Sequence, residues 1–346
     1  MRAALLTSYR APLEIGSVPD ATCPANGVLV EVLACGICRS DWHAWTGADP
    51  DVILPHIPGH EFCGTVIDVG ADVHQWSKGD RVIAPFILSC GTCADCRGGH
   101  GTICASQAVP GFTYNGAFAE GVAVPFADAN LTRLPHGMDP ALAAALGCRV
   151  TTAWHALTGR AALAPGEWLG IWGAGGVGLA ALMLGRAMGA RVAIADVVPE
   201  KLTLASALGA EVVIDARDGG AEAMRSATGG GAHVVIEALG MPETTQNALQ
   251  SCRKLGRMVQ VGMPAGDNAR MELPWDAVYS GQLAIYGTRG MPAHRYPSLL
   301  DFLAATGLDL SPMIARRVAL SDVNTELALF DGPAPPGVAV ITDFAA

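Results

Sequence analysis

The sequence predicts an α/β protein in which a doubly wound parallel sheet is joined to a separate, irregular β domain. Three observations carry this. The middle of the chain alternates short β-branched runs with stretches rich in Ala and Leu, the pattern of a parallel sheet covered by helices. The first ~145 residues instead hold short apolar runs cut by Gly and Pro turns. At 346 residues the chain is long for one core and divides comfortably into two domains.

In the first half the expected strands are Gly27–Ala34, Cys63–Val69, Arg81–Ala84 and Phe118–Val124. In the middle they are Trp168–Trp172, Arg191–Asp196, Glu211–Ile214, His233–Glu237, Arg257–Val261 and Leu283–Tyr286. The intervening runs Gly176–Met188 and Pro199–Leu208 read as helices, and Pro242 sits where another would start, continuing through Gln246–Lys254. After Gly287 the alternation stops. A helix over Pro297–Ala305 and a late strand, Val338–Ile341, are expected to return the chain to the first domain.

Composition narrows the function classes. Half the residues are hydrophobic and 16% are charged, enough apolar material for sizeable cores. A net charge of −10 argues against nucleic acid, whose phosphates need a basic face. The apolar run after Met1 is too short for a signal peptide, so the expected location is cytoplasmic. Eighteen uncharged residues lie between Glu167 and Arg186. Their six glycines mark a turn rather than a membrane span.

Cys90, Cys93, Cys96 and Cys104 are spaced C-x2-C-x2-C-x7-C on a Gly-rich loop. Such spacing lets four thiolates close a tetrahedral shell around one zinc ion. A closed shell has no open position for substrate, so this zinc is expected to be structural. Without an export signal, disulfides are the poorer reading.

Gly173, Gly175 and Gly178 form a G-x-G-x-x-G motif, with Gly176 and Val177 inside it, between a hydrophobic strand and an Ala/Leu helix. That context makes it a Rossmann-type dinucleotide turn. The first Gly permits the tight bend, the second lets backbone approach a pyrophosphate, and the third lets helix and strand pack closely. Backbone N–H groups at the helix start would hold the phosphates. The next strand ends in Asp196, eighteen residues after Gly178. An acid there can accept from the adenosine ribose hydroxyls and repel a 2′-phosphate, favouring NAD over NADP. Lys201 either reaches the same ribose or sits on a solvated helix face.

A second group of metal-ligand types lies in the β half: Cys35, Cys38 and His43, then His60 and Glu61, then Cys148. Catalytic zinc takes three protein ligands and an open position, but spacing alone does not select three from segments so far apart.

Gly59-His60-Glu61-x2-Gly64-x5-Gly70-x2-Val73, the four-cysteine lobe and the strand–glycine–helix turn resemble, in kind and order, the zinc-dependent medium-chain alcohol dehydrogenases. The resemblance runs over essentially the whole chain. It implies a GroES-like catalytic domain over residues 1–147 with the zinc lobe at 90–104, a Rossmann NAD-binding domain over 148–287, and a C-terminal segment, 288–346, returning to the first. It implies reversible oxidation of an alcohol to an aldehyde or ketone with NAD, and two zinc ions per chain. By the same resemblance Cys38, His60 and Cys148 are the catalytic ligands, Glu61 an acid that steadies the site or enters the metal shell, and Asp41 a partner orienting His60. Ser40 and His43 match a proton relay, Arg39 a contact to the cofactor pyrophosphate, and Phe86 a wall of the substrate pocket. Trp42 and Trp45 flank His43 and would add to that wall or pack in the core. Cys148, rather than an acid, points to a hydrophobic or aromatic alcohol instead of a polyol. The resemblance also implies a homo-oligomer, a tetramer before a dimer. Two alternatives stand beside this reading: a physiological aldehyde or ketone reductase with the same site, and a catalytically silent NAD-binding zinc protein.

Overall fold

The computed structural model describes residues 1–346. The N-terminal half begins with the antiparallel pair β1 (Arg2–Leu5) and β2 (Glu14–Ser17). It continues through β3 (Val28–Ile37), β4 (Glu61–Val69), β5 (Arg81–Ile83), β6 (Gly121–Val124) and β7 (Thr132–Arg133). The middle third contributes β8 (Trp168–Trp172), β9 (Arg191–Asp196), β10 (Val212–Asp215), β11 (Ala232–Glu237), β12 (Cys252–Gln260) and β13 (Ala284–Gly287). The tail adds β14 (Ile314–Ala319) and β15 (Val338–Asp343).

Strands β8 to β13 form one wholly parallel sheet in the order β10-β9-β8-β11-β12-β13. The chain starts at the centre and winds outward in both directions, which opens a crevice where β8 and β11 lie side by side. Every residue of β8 is buried, as expected for a strand covered on both faces. The helix Gly176–Ala187 is apolar nearly all round and buries Gly178 to Gly185, so it packs inside the protein rather than on its surface. Pro199 and Pro242 occupy the first turns of their helices, where the missing N–H costs nothing.

The second sheet runs β14-β15-β3-β4-β5-β7, with β6 also pairing β3. The C-terminal strand β15 lies antiparallel to β3, with Val340 opposite Gly36. A cluster including Val30, Phe62, Phe118 and Ile341 fills the space under this sheet. A larger core spreads from Ala141–Leu146 through the Rossmann-type strands to Leu299.

Most strand and helix ends shift by one to three residues from the sequence expectation, and two of the differences have a clear structural reason. The helix begun at Pro242 ends at Ser251, and Cys252–Lys254 belong to β12, not to the helix. Pairing with β11, where Cys252 stands opposite Ala232, overrides local helix preference there. Phe118 lies before β6 and is held by an Ala4 N–H donating to its carbonyl.

Candidate active site and metal centres

β3 runs antiparallel to β4 with Gly36 opposite Glu61. That register brings Cys38, just past the end of β3, beside His60, just ahead of β4. Cys148 arrives at the start of the helix Arg149–Trp154. The ligand atoms of Cys38, His60 and Cys148 all lie within 4.8 Å of one another, and all three residues are buried.

Asp41 organises this corner. Fully buried, its carboxylate accepts from the Cys38 N–H at 2.8 Å and the Gly59 N–H at 3.2 Å, and meets His60 Nδ1 at 2.9 Å. His60 Nε2 is buried without any hydrogen-bond partner. An imidazole fixed by a carboxylate on one nitrogen, with the other orphaned towards two cysteine sulfurs, fits a metal ligand. Burial acts to lower the His60 pKa, but the Asp41 charge and hydrogen bond, with help from Cys38, hold it up to about 10. The hydrogen bond with Cys148 and the nearby Arg149 pull the Cys38 thiol well down, while the Cys148 thiol is pushed well up. Zinc would bind the deprotonated forms of these ligands, so its affinity here should rise with pH.

Glu61 is fully buried and paired with the Arg149 guanidinium. Burial pushes its carboxyl up to about 7 against the pull of Arg149. It stands in an ion pair, outside the three-residue ligand cluster. Cys35 is buried and also outside that cluster.

The four-cysteine lobe is a second candidate metal centre. The sulfurs of Cys90, Cys93, Cys96 and Cys104 lie within 4.8 Å of one another, with Cys93 to Cys104 and Cys90 to Cys96 at 3.9 Å and Cys93 to Cys96 at 3.4 Å. Sulfurs about 2.3 Å from one tetrahedral zinc stand about 3.8 Å apart, so the donor set fits. All ten cysteines are free thiols. The short helix Ala94–Arg97 inside the lobe buries no residue, so it contributes no buried side chain of its own to hold the loop.

A cleft of about 630 Å³ joins the two halves and is lined by Cys38, His43, Gly175, Gly178 and Lys201. Its floor is the crevice between β8 and β11. Gly173 has φ +102°, and a Cβ on Gly178 would lie 1.9 Å from the Gly173 carbonyl oxygen. Gly175 faces open space. The first intrahelical bond runs from Leu179 N–H to the Gly175 carbonyl, leaving the preceding N–H groups of Gly176, Val177 and Gly178 for an anion. The turn thus fits a dinucleotide pyrophosphate.

The other expected residues fall as follows. Ser40 Oγ is 3.9 Å from Cys38 Sγ. His43 lines the cleft with a buried, unpartnered Nδ1. Arg39 also lines it, stacked at 4.9 Å over Trp42 and 5.1 Å over Phe330, and donates to the Phe330 carbonyl. Phe86 stands edge-on to His60 at 5.7 Å. Trp42 reaches Asp331 with its indole N–H, lines the cleft and stands edge-on to His43 at 5.2 Å; Trp45 reaches the Ala11 carbonyl and packs against the core.

Asp196 ends β9 as the sequence suggests, but its carboxylate is engaged by backbone N–H groups of the glycine turn and of the bend after β9. It accepts from the Ala174 N–H at 2.8 Å and the Val198 N–H at 3.0 Å, and is 5% exposed. Ribose hydroxyls would have to use its remaining lone pairs.

The sequence does not single out two neighbours of the site. Phe112 forms a second edge-on wall, 5.3 Å from His60, and nothing local marks it. The one signal for Arg149 is that it stands as a lone charge in the apolar run Ala141–Val150.

Comparison with known proteins agrees with this geometry. Residues 24–136 match the alcohol dehydrogenase GroES-like domain and residues 176–305 the zinc-binding dehydrogenase domain. The chain belongs to the zinc-dependent medium-chain alcohol dehydrogenase family, and is an oxidoreductase of that family. It is 36% identical over 296 residues to an alcohol dehydrogenase of Geobacillus stearothermophilus, covering 84% of this chain and 85% of the relative. It is 34% identical to an L-threonine 3-dehydrogenase of Saccharopolyspora erythraea, covering 92% of each. Among solved structures, the alcohol dehydrogenase TADH from Thermus sp. ATN1 superposes with a TM-score of 0.90 at 30% identity, covering 99% of this chain and 100% of that one. No helix is long and apolar enough to cross a membrane.

Proposed function

We propose that the protein is an NAD-dependent, zinc-containing alcohol dehydrogenase acting on apolar or aromatic alcohols. Cys38, His60 and Cys148 would hold the catalytic zinc; Cys90, Cys93, Cys96 and Cys104 would hold the structural one. When bound, the catalytic zinc supplies a Lewis acid for the substrate oxygen and NAD supplies the hydride acceptor. The observation that carries the reading is the orphaned, buried Nε2 of His60 beside two cysteine sulfurs, near a cleft that also holds an open glycine turn.

The chain's own residues then have distinct tasks. Asp41 fixes the tautomer and direction of His60. Ser40, near the sulfur of Cys38, takes the proton of the substrate hydroxyl, and His43 passes it towards solvent. Phe86 and Phe112 flank His60 and give the reacting carbon an apolar wall. Arg39 and Lys201 add positive charge to the cleft for the cofactor. Asp196 favours NAD over NADP by closing the ribose end to a second phosphate; a higher kcat/KM with NADP would contradict this.

Burial, reinforced by Arg39, holds the His43 pKa below its ordinary 6.5. Neutral His43 is thus the form present at pH 7, ready to accept a proton, and protonation disables it only on the acid side. Turnover should hold at pH 6.5 and fall only at lower pH. His43→Gln should lower kcat by about 10²-fold and remove that acid limb, while zinc content stays unchanged. A variant with the wild-type pH profile would assign His43 no part in proton transfer.

Substrate class is tested by kcat/KM for ethanol, butanol, hexanol, benzyl alcohol and sorbitol. An apolar wall gains roughly 0.8 kcal/mol per buried CH2, so values should rise along the alkyl series until the pocket is full. Sorbitol should be worst, because its hydroxyls lose water without replacement partners. A preference for sorbitol, or for threonine over all the alcohols, would refute the assignment.

A further inference from the structure

We propose that Arg149 is a positioning residue that ties the metal-ligand segment to the cofactor, pairing with Glu61 on one side and facing the pyrophosphate on the other. The inference rests on reading the glycine turn as a dinucleotide site.

Arg149 directly follows Cys148, and only 5% of it is exposed, yet it forms part of the cleft wall. Its backbone N–H donates to Glu61 Oε1 at 3.1 Å. One terminal nitrogen donates to Glu61 Oε2 and the other to the carbonyl of Ile37, the last residue of β3. The side chain threads between two glycines. A Cβ on Gly36 would meet Arg149 Nη1 at 3.0 Å, and a Cβ on Gly176 would meet its Cδ at 2.4 Å and its Nε at 2.7 Å. Gly36 belongs to the sheet that carries Cys38; Gly176 is the first residue of the helix that follows the glycine turn. One guanidinium therefore touches the metal-ligand strand, the acid beside His60 and the start of the dinucleotide helix.

Charge makes the arrangement specific. A helix start carries partial positive charge, and placing a guanidinium against it is unfavourable unless an anion lies between or beside them. Glu61 balances the guanidinium but faces the metal side. On the cleft wall stand Arg10, Arg39, Arg149, Lys201 and Arg316 against a single carboxylate, Glu326, which already accepts from Arg316 at 2.7 Å. This excess sits in a chain of net charge −10. Arg10 lies at the rim near Asp331, 3.7 Å away, and Arg39 is stacked between two rings. Arg149 is the buried cation at the helix start, and no protein acceptor meets its Nε. A pyrophosphate seated on the turn answers both positive ends at once.

The test is calorimetric binding of ADP-ribose and of AMP to the zinc-loaded protein. The double variant Arg149→Met with Glu61→Gln removes both buried charges together, which cores tolerate better than losing one partner. It should weaken ADP-ribose by about 10–100-fold, the range for hydrogen bonds to charged groups. AMP, which has no pyrophosphate, should change by less than about 3-fold, and zinc content should stay at wild-type level. Glu61→Gln alone, keeping Arg149, should leave ADP-ribose within about 3-fold. Equal binding of ADP-ribose by the double variant and wild type would overturn the proposal. So would parallel loss of AMP, or the full loss in Glu61→Gln alone. If the double variant does not fold, Arg149→Lys takes its place. It should weaken ADP-ribose several-fold with AMP unchanged, and unchanged binding of both would overturn the proposal equally. Wild-type protein that binds neither nucleotide would instead refute the dinucleotide reading beneath it.

Discussion

Replacing Cys38 by Ser is expected to abolish turnover while leaving the fold and the four-cysteine lobe in place. A serine hydroxyl does not ionise near neutral pH and is a poor zinc ligand, so His60 and Cys148 would be left as an incomplete set. Lewis-acid stabilisation is worth several kcal/mol, so kcat/KM should fall by more than about 10³-fold. The fold should tolerate the change. Residue 38 precedes the helix Arg39–Thr46 as its cap, and serine is among the best residues there. Its backbone N–H would still donate to Asp41. Elemental analysis of the variant should find the lobe zinc alone, with a melting temperature close to wild type. Retained activity would remove Cys38 from the ligand set.

Cys93→Ser should act in the opposite sense, on stability before chemistry. The lobe has little apolar anchoring: Cys104 is buried, but the other three cysteines are only half-buried, and Ile103 is exposed. Zinc that binds only the closed loop shifts the equilibrium towards the folded form. Even about 3 kcal/mol lost would lower Tm by roughly 6–12 °C at the slope usual for domains of 150–250 residues. Proteolysis should then cut first within residues 90–104. An unchanged Tm with the lobe zinc gone would show that the loop is held by packing alone.

The parts of this protein that read directly from the sequence are those whose chemistry lies in consecutive residues. The spacing of Cys90 to Cys104 and the turn from Gly173 to Gly178 each hold their geometry within one loop, so pattern and structure coincide. The parallel sheet follows from the alternation of strands and helices, while the start of β12 differs from expectation because pairing with β11 recruits Cys252–Lys254. The three-residue cluster is different. Cys38 and His60 meet because of the β3–β4 register, and Cys148 joins them from a third segment. No local spacing encodes that meeting, and resemblance to a family was needed to choose Cys38 over Cys35. Asp196 was legible in position but not in orientation, since its two backbone partners are set by the turn after β8 and the bend after β9. Arg149 was visible as a residue and invisible as a partner, because Glu61 lies 88 positions away.

The most direct measurement is alcohol-dependent formation of NADH by purified protein whose zinc content has been determined in the same sample. The account predicts two zinc ions per chain, one for each cysteine-containing cluster. It also predicts NADH formation with benzyl alcohol or hexanol that stops when the Cys38 site is disrupted. Fully zinc-loaded protein that reduces NAD with none of the alcohols would contradict it.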